Sequence, residues 1–172
     1  FSRISGIGYQ TPVLSSININ KALKAEITFK AECLQETGSF KLRGASSAIS
    51  LLSKEEKSRG VVAFSSGNHA QGIAYASREL GTSAKIVMPS DAPKIRIWKT
   101  QEYGAEVIFY DRDEDNREEI GFSIAMEEGR KLIKPFDDLN VIYGQGTAAL
   151  EVMDEVDTKF DMSVVCCSGG GL

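Results

Sequence analysis

Histidine is almost missing from this 172-residue chain: there is one, His69. That excludes a metal centre built from several imidazoles, and any Ser-His-Asp relay would have to use this residue. Cysteine is scarce and odd in number, at Cys33, Cys166 and Cys167. Two of the three are adjacent, so neither a disulfide framework nor a zinc spacing is available. The thiols read as reduced, as expected of a cytoplasmic protein, and the adjacent pair, on a valine-rich run, is expected to be buried as small hydrophobes. No stretch of about 18 apolar residues occurs, so nothing reads as membrane-spanning. The opening FSRISGIGYQ lacks the basic flank, apolar centre and small-residue cleavage site of a secretion signal. An excess of positive charge is also lacking: the net charge is −4, which argues against non-specific nucleic-acid binding. Repeats and low-complexity tracts are absent. What remains, 42% hydrophobic and 26% charged residues, is ordinary globular composition, enough for a core in one domain or a small two-domain piece.

What is present is an alternation of strand-like and helix-like segments. EITFKAECL (26–34) is β-branched and partly alternating, hence a strand. SFKLRGASSAISLLSK (39–54) spaces Leu42, Ala45, Ala48, Ile49 and Leu52 for a helix, with Ser39 as N-cap. GVVAFSS (60–66) reads as a strand buried on both faces, and NHAQGIAYASREL (68–80) as a helix with Gly81 as C-cap. The alternation continues through AKIVMPS, KIRIWKTQEYG, EVIFYD, EDNREEIGFSIAMEEGRKL, LIKPFDD and GTAALEVMDEV to a last apolar strand, DMSVVCCS. Strands alternating with helices predict an α/β fold, a twisted parallel sheet with helices on both faces. Its ligands bind beyond the carboxyl ends of the strands. SSGNHAQG, SGGGL and the junction before Lys41 all fall there. A glycine loop after a strand is expected to lead into a helix, so the chain reads as the first half of something longer.

Three loops could carry chemistry. SGGGL (168–172) lets backbone N–H groups converge, which suits an anion such as a phosphate. The same glycines also suit a structural tight turn, and the pattern is neither GxxxxGK[ST] nor GxGxxG. SSGNHAQG (65–72) sets hydroxyls, an amide and an imidazole at a helix start, a place for a carboxylate. The plain alternative is a helix cap through Ser66 or Asn68. A hydrolase built on Ser66 and His69 is a poor reading, because the motif is not GxSxG and no partner acid is indicated. Lys41, between Phe40 and a run of small residues, could be an ordinary surface lysine. Buried, its amine would lose its proton more readily and become a nucleophile able to bond an aldehyde cofactor. Together a lysine, a carboxylate-shaped loop and a phosphate-shaped loop are the parts that a pyridoxal phosphate site needs.

The stretches TPVL (11–14), FKAECLQETGSFKLRGA (29–45), FSSGNHAQGIAYA (64–76), KIVMPSDAPKIR (85–96), YGAEVIFYD (103–111), VIYGQGTAALEV (141–152) and SGGGL resemble the fold-type II pyridoxal-phosphate enzymes, in particular the threonine/serine dehydratase and serine racemase group. The resemblance covers nearly the whole chain in family order. It implies a tryptophan synthase β-like architecture, here truncated. Residues 1–41 and 143–172 would belong to an incomplete large domain, and 42–142 to a small one. It implies Lys41 as the lysine that bonds the cofactor, with Phe40 against the cofactor region and Asn68 on the pyridine 3′-oxygen. Ser65, Ser66, Gly67, Asn68 and His69 would meet the substrate carboxylate, and Ser168, Gly169, Gly170 and Gly171 the phosphate.

The implied activity is β-elimination of a hydroxy amino acid (threonine, serine or 3-hydroxyaspartate) to a 2-oxo acid and ammonia, with Lys41 taking the Cα proton. Ser66 stands where racemase-like members carry the serine that supplies a second proton, which keeps serine racemase open. No metal ligand is assigned in this chain; a divalent cation, Mg or Ca, would use family carboxylates absent from it. The implied partners are an amino-acid substrate and, in the full-length form, a second copy, with neither nucleic acid nor membrane. Departures are Glu36, an acid where relatives carry Lys or Arg near a nucleotide-effector region, Ser168 in place of a first glycine, and Trp98, read as packing or as an interface residue. Two readings compete with the enzyme: a catalytically silent fragment acting as a folding or interaction unit, and a cofactor-free anion-binding module that leaves Lys41 unexplained.

Overall fold

The computed structural model describes residues 4–157 and 159–172. Four strands, β3 (Val61–Phe64), β4 (Ala84–Pro89), β5 (Glu106–Tyr110) and the two-residue β6 (Lys131–Leu132), form a parallel sheet in the order β5-β4-β3-β6. All four residues of β3 are buried. Alternation sends Val61 and Ala63 to one face with Ile86 and Met88, and Val62 and Phe64 to the other with Val87 and Tyr110. Helices α4 (Asn68–Glu79) and α5 (Lys94–Glu102) connect β3 to β4 and β4 to β5, and supply Ala70, Ile73 and Ile97 to the first face. Helix α6 (Arg117–Glu128) leads to β6 and covers the second with Ile120 and Ile124. The chain runs from β3 outward through β4 to β5, then returns to the far side of β3. The strand order therefore reverses between β3 and β6, and the crevice beyond their carboxyl ends is where such sheets bind ligands.

Helix α2 (Lys41–Ser50) lies between α4 and α7 (Leu139–Glu155). Close approach explains three glycines. A side chain at Gly72 would come within 3.1 Å of the Lys41 carbonyl. One at Gly44 would meet Val141 and Gln145 at 2.8 Å, and one at Gly144 would lie 2.7 Å from the Gly44 Cα and closer still to the Arg43 carbonyl oxygen. Gln145 Oε1 accepts the Gly44 N–H at 3.1 Å, satisfying one donor of the first turn of α2. Gly144→Ala is expected to destabilise the chain by about 1–2 kcal/mol, because overpacking against backbone outweighs the better helix propensity of alanine. A lower urea midpoint with an unchanged slope checks this.

Before α2, β1 (Val13–Ser15) pairs antiparallel with β2 (Thr28–Lys30) around α1 (Ile17–Leu23), whose Ser16 side chain caps Ile19. After it, α3 (Lys54–Arg59) opens on a capping box of Ser53 and Glu56.

Several expectations are corrected. EITFKAECL is a strand only over β2; Glu32–Leu34 is a turn of 3₁₀ helix. Phe40, not Ser39, is the N-cap of α2, and it makes no side-chain cap bond. Leu80 is the C-cap of α4, and Gly81 follows it at φ +69°. Helix α7 starts at Leu139, well before GTAALEVMDEV, because Asp138 Oδ1 accepts the Asn140 and Val141 N–H groups. DMSVVCCS is not a strand, and Cys166 and Cys167 are exposed. Trp98 is 53% exposed and packs in no core cluster. Among the described residues no helix is long and apolar enough to cross a membrane.

Candidate active site

Every loop singled out from the sequence meets the segment Ile133–Phe136 that follows β6. Lys41 is the first residue of α2, where its side chain leaves the helix toward this segment. Its Nζ donates to the Pro135 carbonyl at 2.6 Å and stands 5.2 Å from the Phe40 ring centroid. The amine is half-buried, and burial holds its pKa below the usual lysine value. Burial favours the neutral nucleophilic form, while the Pro135 carbonyl and the Phe40 ring hold the amine in place.

His69 sits in the first turn of α4 and is 3% exposed. Its Nε2 lies 3.1 Å from the Ile133 carbonyl oxygen. A carbonyl only accepts, so Nε2 carries the proton and Nδ1 presents a lone pair, which has no partner among the described residues. Burial pushes the imidazole down to about 4, the Ile133 bond opposes this, and the charge of Lys41 adds to it.

The loop before α4 is held by its own backbone. Ser65 N–H donates to the Val87 carbonyl at 3.0 Å, and the Ser65 hydroxyl accepts from Gly67 N–H at 3.1 Å. Gly67 is the N-cap, and neither Ser66 nor Asn68 caps the helix. Helix α4 thus keeps first-turn donors available to an anion. Ser66 is partly buried and Asn68 exposed. Arg96 of α5, which the sequence reading did not single out, donates through Nη1 to the Ser66 carbonyl at 3.2 Å.

The glycine loop closes the arrangement. A side chain at Gly171 would fall 2.8 Å from the Cα, Cβ and carbonyl oxygen of Phe136, and one at Gly169 would overlap the Phe136 ring. Gly170 has φ +79°, which suits glycine. Ser168, Gly169 and Gly170 are exposed, and Gly171 is buried. The loop therefore lies on Phe136, the neighbour of the residue that holds Lys41. Phe136 and Pro135 were also passed over in the sequence, where PFDD reads as an ordinary loop. Among the described residues no group of three or more His, Cys, Asp or Glu side chains gathers as a metal site.

Pyridoxal phosphate fits this donor set. A half-buried amine held by a carbonyl suits an aldehyde, a side-chain-free loop suits a phosphate, and a buried imidazole retains an unused acceptor.

The chain is 47% identical over 170 residues to a serine racemase of Schizosaccharomyces pombe, covering 99% of this chain and 52% of that protein. It is 48% identical over 171 residues to an L-threo-3-hydroxyaspartate ammonia-lyase of Saccharomyces cerevisiae, with the same coverage of 99% and 52%. A crystal structure of serine racemase from Dictyostelium discoideum superposes with a TM-score of 0.86 at 44% identity, over 91% of this chain and 51% of that one. The chain spans about half the length of the curated relatives it matches. Residues 4–172 match one family along their whole length, and the chain belongs to it: the pyridoxal-phosphate dependent enzymes.

Proposed function

We propose that this chain carries the lysine, the carboxylate loop and the phosphate loop of an enzyme that eliminates water from a 3-hydroxy amino acid, giving a 2-oxo acid and ammonia. The observation that carries the reading is the Lys41 amine, half-buried on the Pro135 carbonyl beside a glycine loop that packs on Phe136. Bound pyridoxal phosphate supplies an aldehyde to hold the lysine and a ring that withdraws electrons from Cα. Ser168, Gly169, Gly170 and Gly171 hold its phosphate, Asn68 its 3′-oxygen, and Phe40 lines the pocket. Ser65, Ser66, Gly67, Asn68 and His69 receive the substrate carboxylate at the start of α4. Lys41 Nζ removes the Cα proton, and its lowered pKa keeps the amine available as a base. Residues 42–142 form the small domain and the flanks belong with a large one.

A second reading, amino-acid racemisation, is favoured by Ser66, a hydroxyl that would be able to return a proton to the same Cα. Similarity to both a racemase and an ammonia-lyase supports keeping it.

The experiment is to load the chain with pyridoxal phosphate, remove the excess, and compare wild type with Lys41→Ala. The expected result is a visible absorbance band that the variant lacks, and 2-oxo acid release from 3-hydroxyaspartate, threonine or serine that falls by about 10³-fold or more. D-serine as the main product would shift the assignment to racemase. No band in the wild-type chain would leave it a silent folding or interaction unit.

A further inference from the structure

Two residues beyond Lys41, the same helix turn carries a second cation that the proposed chemistry leaves unused. Arg43 is 2% exposed. Its Nε and Nη2 donate to both oxygens of Glu32 at 2.8 Å, and its Nη1 and Nη2 to both oxygens of Glu151 at 2.6 and 2.7 Å. Nη1 also reaches the Thr147 hydroxyl at 3.1 Å, and Nη2 the Thr11 hydroxyl at 3.2 Å. The fork therefore ties α2 to α7 on one side, and on the other to Thr11 before β1 and Glu32 at the start of the 3₁₀ turn. Thr147 in turn donates to the Gly144 carbonyl, at the point where α2 and α7 touch backbone to backbone.

We propose that Arg43 is a positioning residue for Lys41: its two bidentate carboxylate pairs fix the rotation and height of the first turn of α2, and so fix where the Lys41 amine stands. This rests on the role proposed above for Lys41. The reason is geometric. Phe40 gives α2 no side-chain cap, so the turn that bears Lys41 is not fixed from its own N-terminal end. It is fixed from its flanks instead, by Gly72 on α4, by Gln145 on α7 and by the Arg43 fork. A planar fork bonded at both ends resists rotation of the helix; a single point charge does not. Pro135 and Phe40, which touch the Lys41 amine, and His69, which feels its charge, make no bond to the Arg43 network among the described residues.

The test uses Arg43→Lys, which keeps the charge and loses the fork, and Thr147→Val, which loses one anchor without changing charge. Both are checked for folding by circular dichroism. The cofactor-independent readout is reductive methylation of the chain with formaldehyde and cyanoborohydride, with Lys41 followed against the α3 residue Lys54 by mass spectrometry. The second readout is the visible band after loading with pyridoxal phosphate. In wild type Lys41 is expected to outpace Lys54, and in both folded variants that advantage is expected to be lost. The visible band is expected to weaken in parallel.

A folded variant with an unchanged Lys41 to Lys54 ratio overturns the inference while leaving the proposed function standing. A wild-type chain that shows the fast Lys41 and its loss in the variants, yet no visible band, overturns the proposed function and upholds the positioning role. Equal rates for Lys41 and Lys54 in wild type overturn both.

Discussion

Arg43→Met is expected to lower the unfolding free energy at pH 7 by about 3–5 kcal/mol, the range for removing one partner of a buried ion network. The size follows from what is left behind. The side chains of Glu151 and Glu32 are 3% and 15% exposed, and each gives both oxygens to the fork. Lys30, 2.8 Å from Glu151, can still serve that residue, but Glu32 loses its cation. Burial is the largest influence on Arg43 and on its own would lower its pKa; the bonds and charges of Glu151 and Glu32 outweigh it and raise the pKa. For Glu151 burial pulls upward, and Arg43 with Lys30 brings the carboxyl below its ordinary value. A depressed carboxylate pKa stabilises the fold above the unfolded value and loses that contribution as pH falls through the folded one. The gap between wild type and Arg43→Met is therefore expected to be full at pH 7 and to narrow as pH falls, because Glu151, no longer held down by Arg43, takes up its proton earlier in the variant than in wild type. Urea denaturation at pH 7 and pH 4 measures both arms. A variant as stable as wild type at pH 7 would mean that water enters and screens the network.

The parts of this site that were legible in the sequence are those whose residue types are unusual for their place. The run VVAF followed by SSGNH could only be a buried strand handing over to a helix, and β3 and α4 follow it closely. Lys41 stood out because it follows Phe40 among small residues. Pro135 and Phe136 did not, because nothing in PFDD distinguishes a loop that receives a lysine from one that merely turns. Their role arises from the return of β6 beside β3, which no local pattern encodes. Helix α7 was cut short for a related reason. Gly144 and Gly146 look like helix breakers, yet Gly144 is there because α2 leaves no room for a side chain. DMSVVCCS failed in the other direction. Its apolar run suits a strand, but a strand needs a hydrogen-bonded neighbour, and among the described residues this segment has none. Val164, at 89% exposure, shows the consequence.

His69 makes the stability of the chain depend on pH in a window of its own. An imidazole held down to about 4 in the fold and near 6.5 in the unfolded chain means that the unfolded state binds the extra proton between those values. Stability is therefore complete above pH 6.5 and falls as pH drops toward 4, by about 1.4 kcal/mol per pH unit and about 3 kcal/mol in all. Because this is the single histidine of the chain, the upper part of that window is free of other side-chain titrations, and the carboxylates add their own losses only lower down. Urea unfolding at half-unit steps from pH 7.5 to about 5.5 is expected to show the slope in wild type and a nearly flat line over the same interval in His69→Gln. The bond from Nε2 to the Ile133 carbonyl survives protonation, so the cost falls on Nδ1, which would then carry a buried proton with no acceptor, close to the charge of Lys41. Since Lys41 is anchored two residues further along the same segment, on Pro135, acid that displaces His69 also loosens the amine from its carbonyl. The visible band of the loaded chain is accordingly expected to fade over the same interval as the stability in wild type. A flat wild-type profile would show that Nδ1 reaches water or another acceptor, and that the imidazole is not sealed against the sheet.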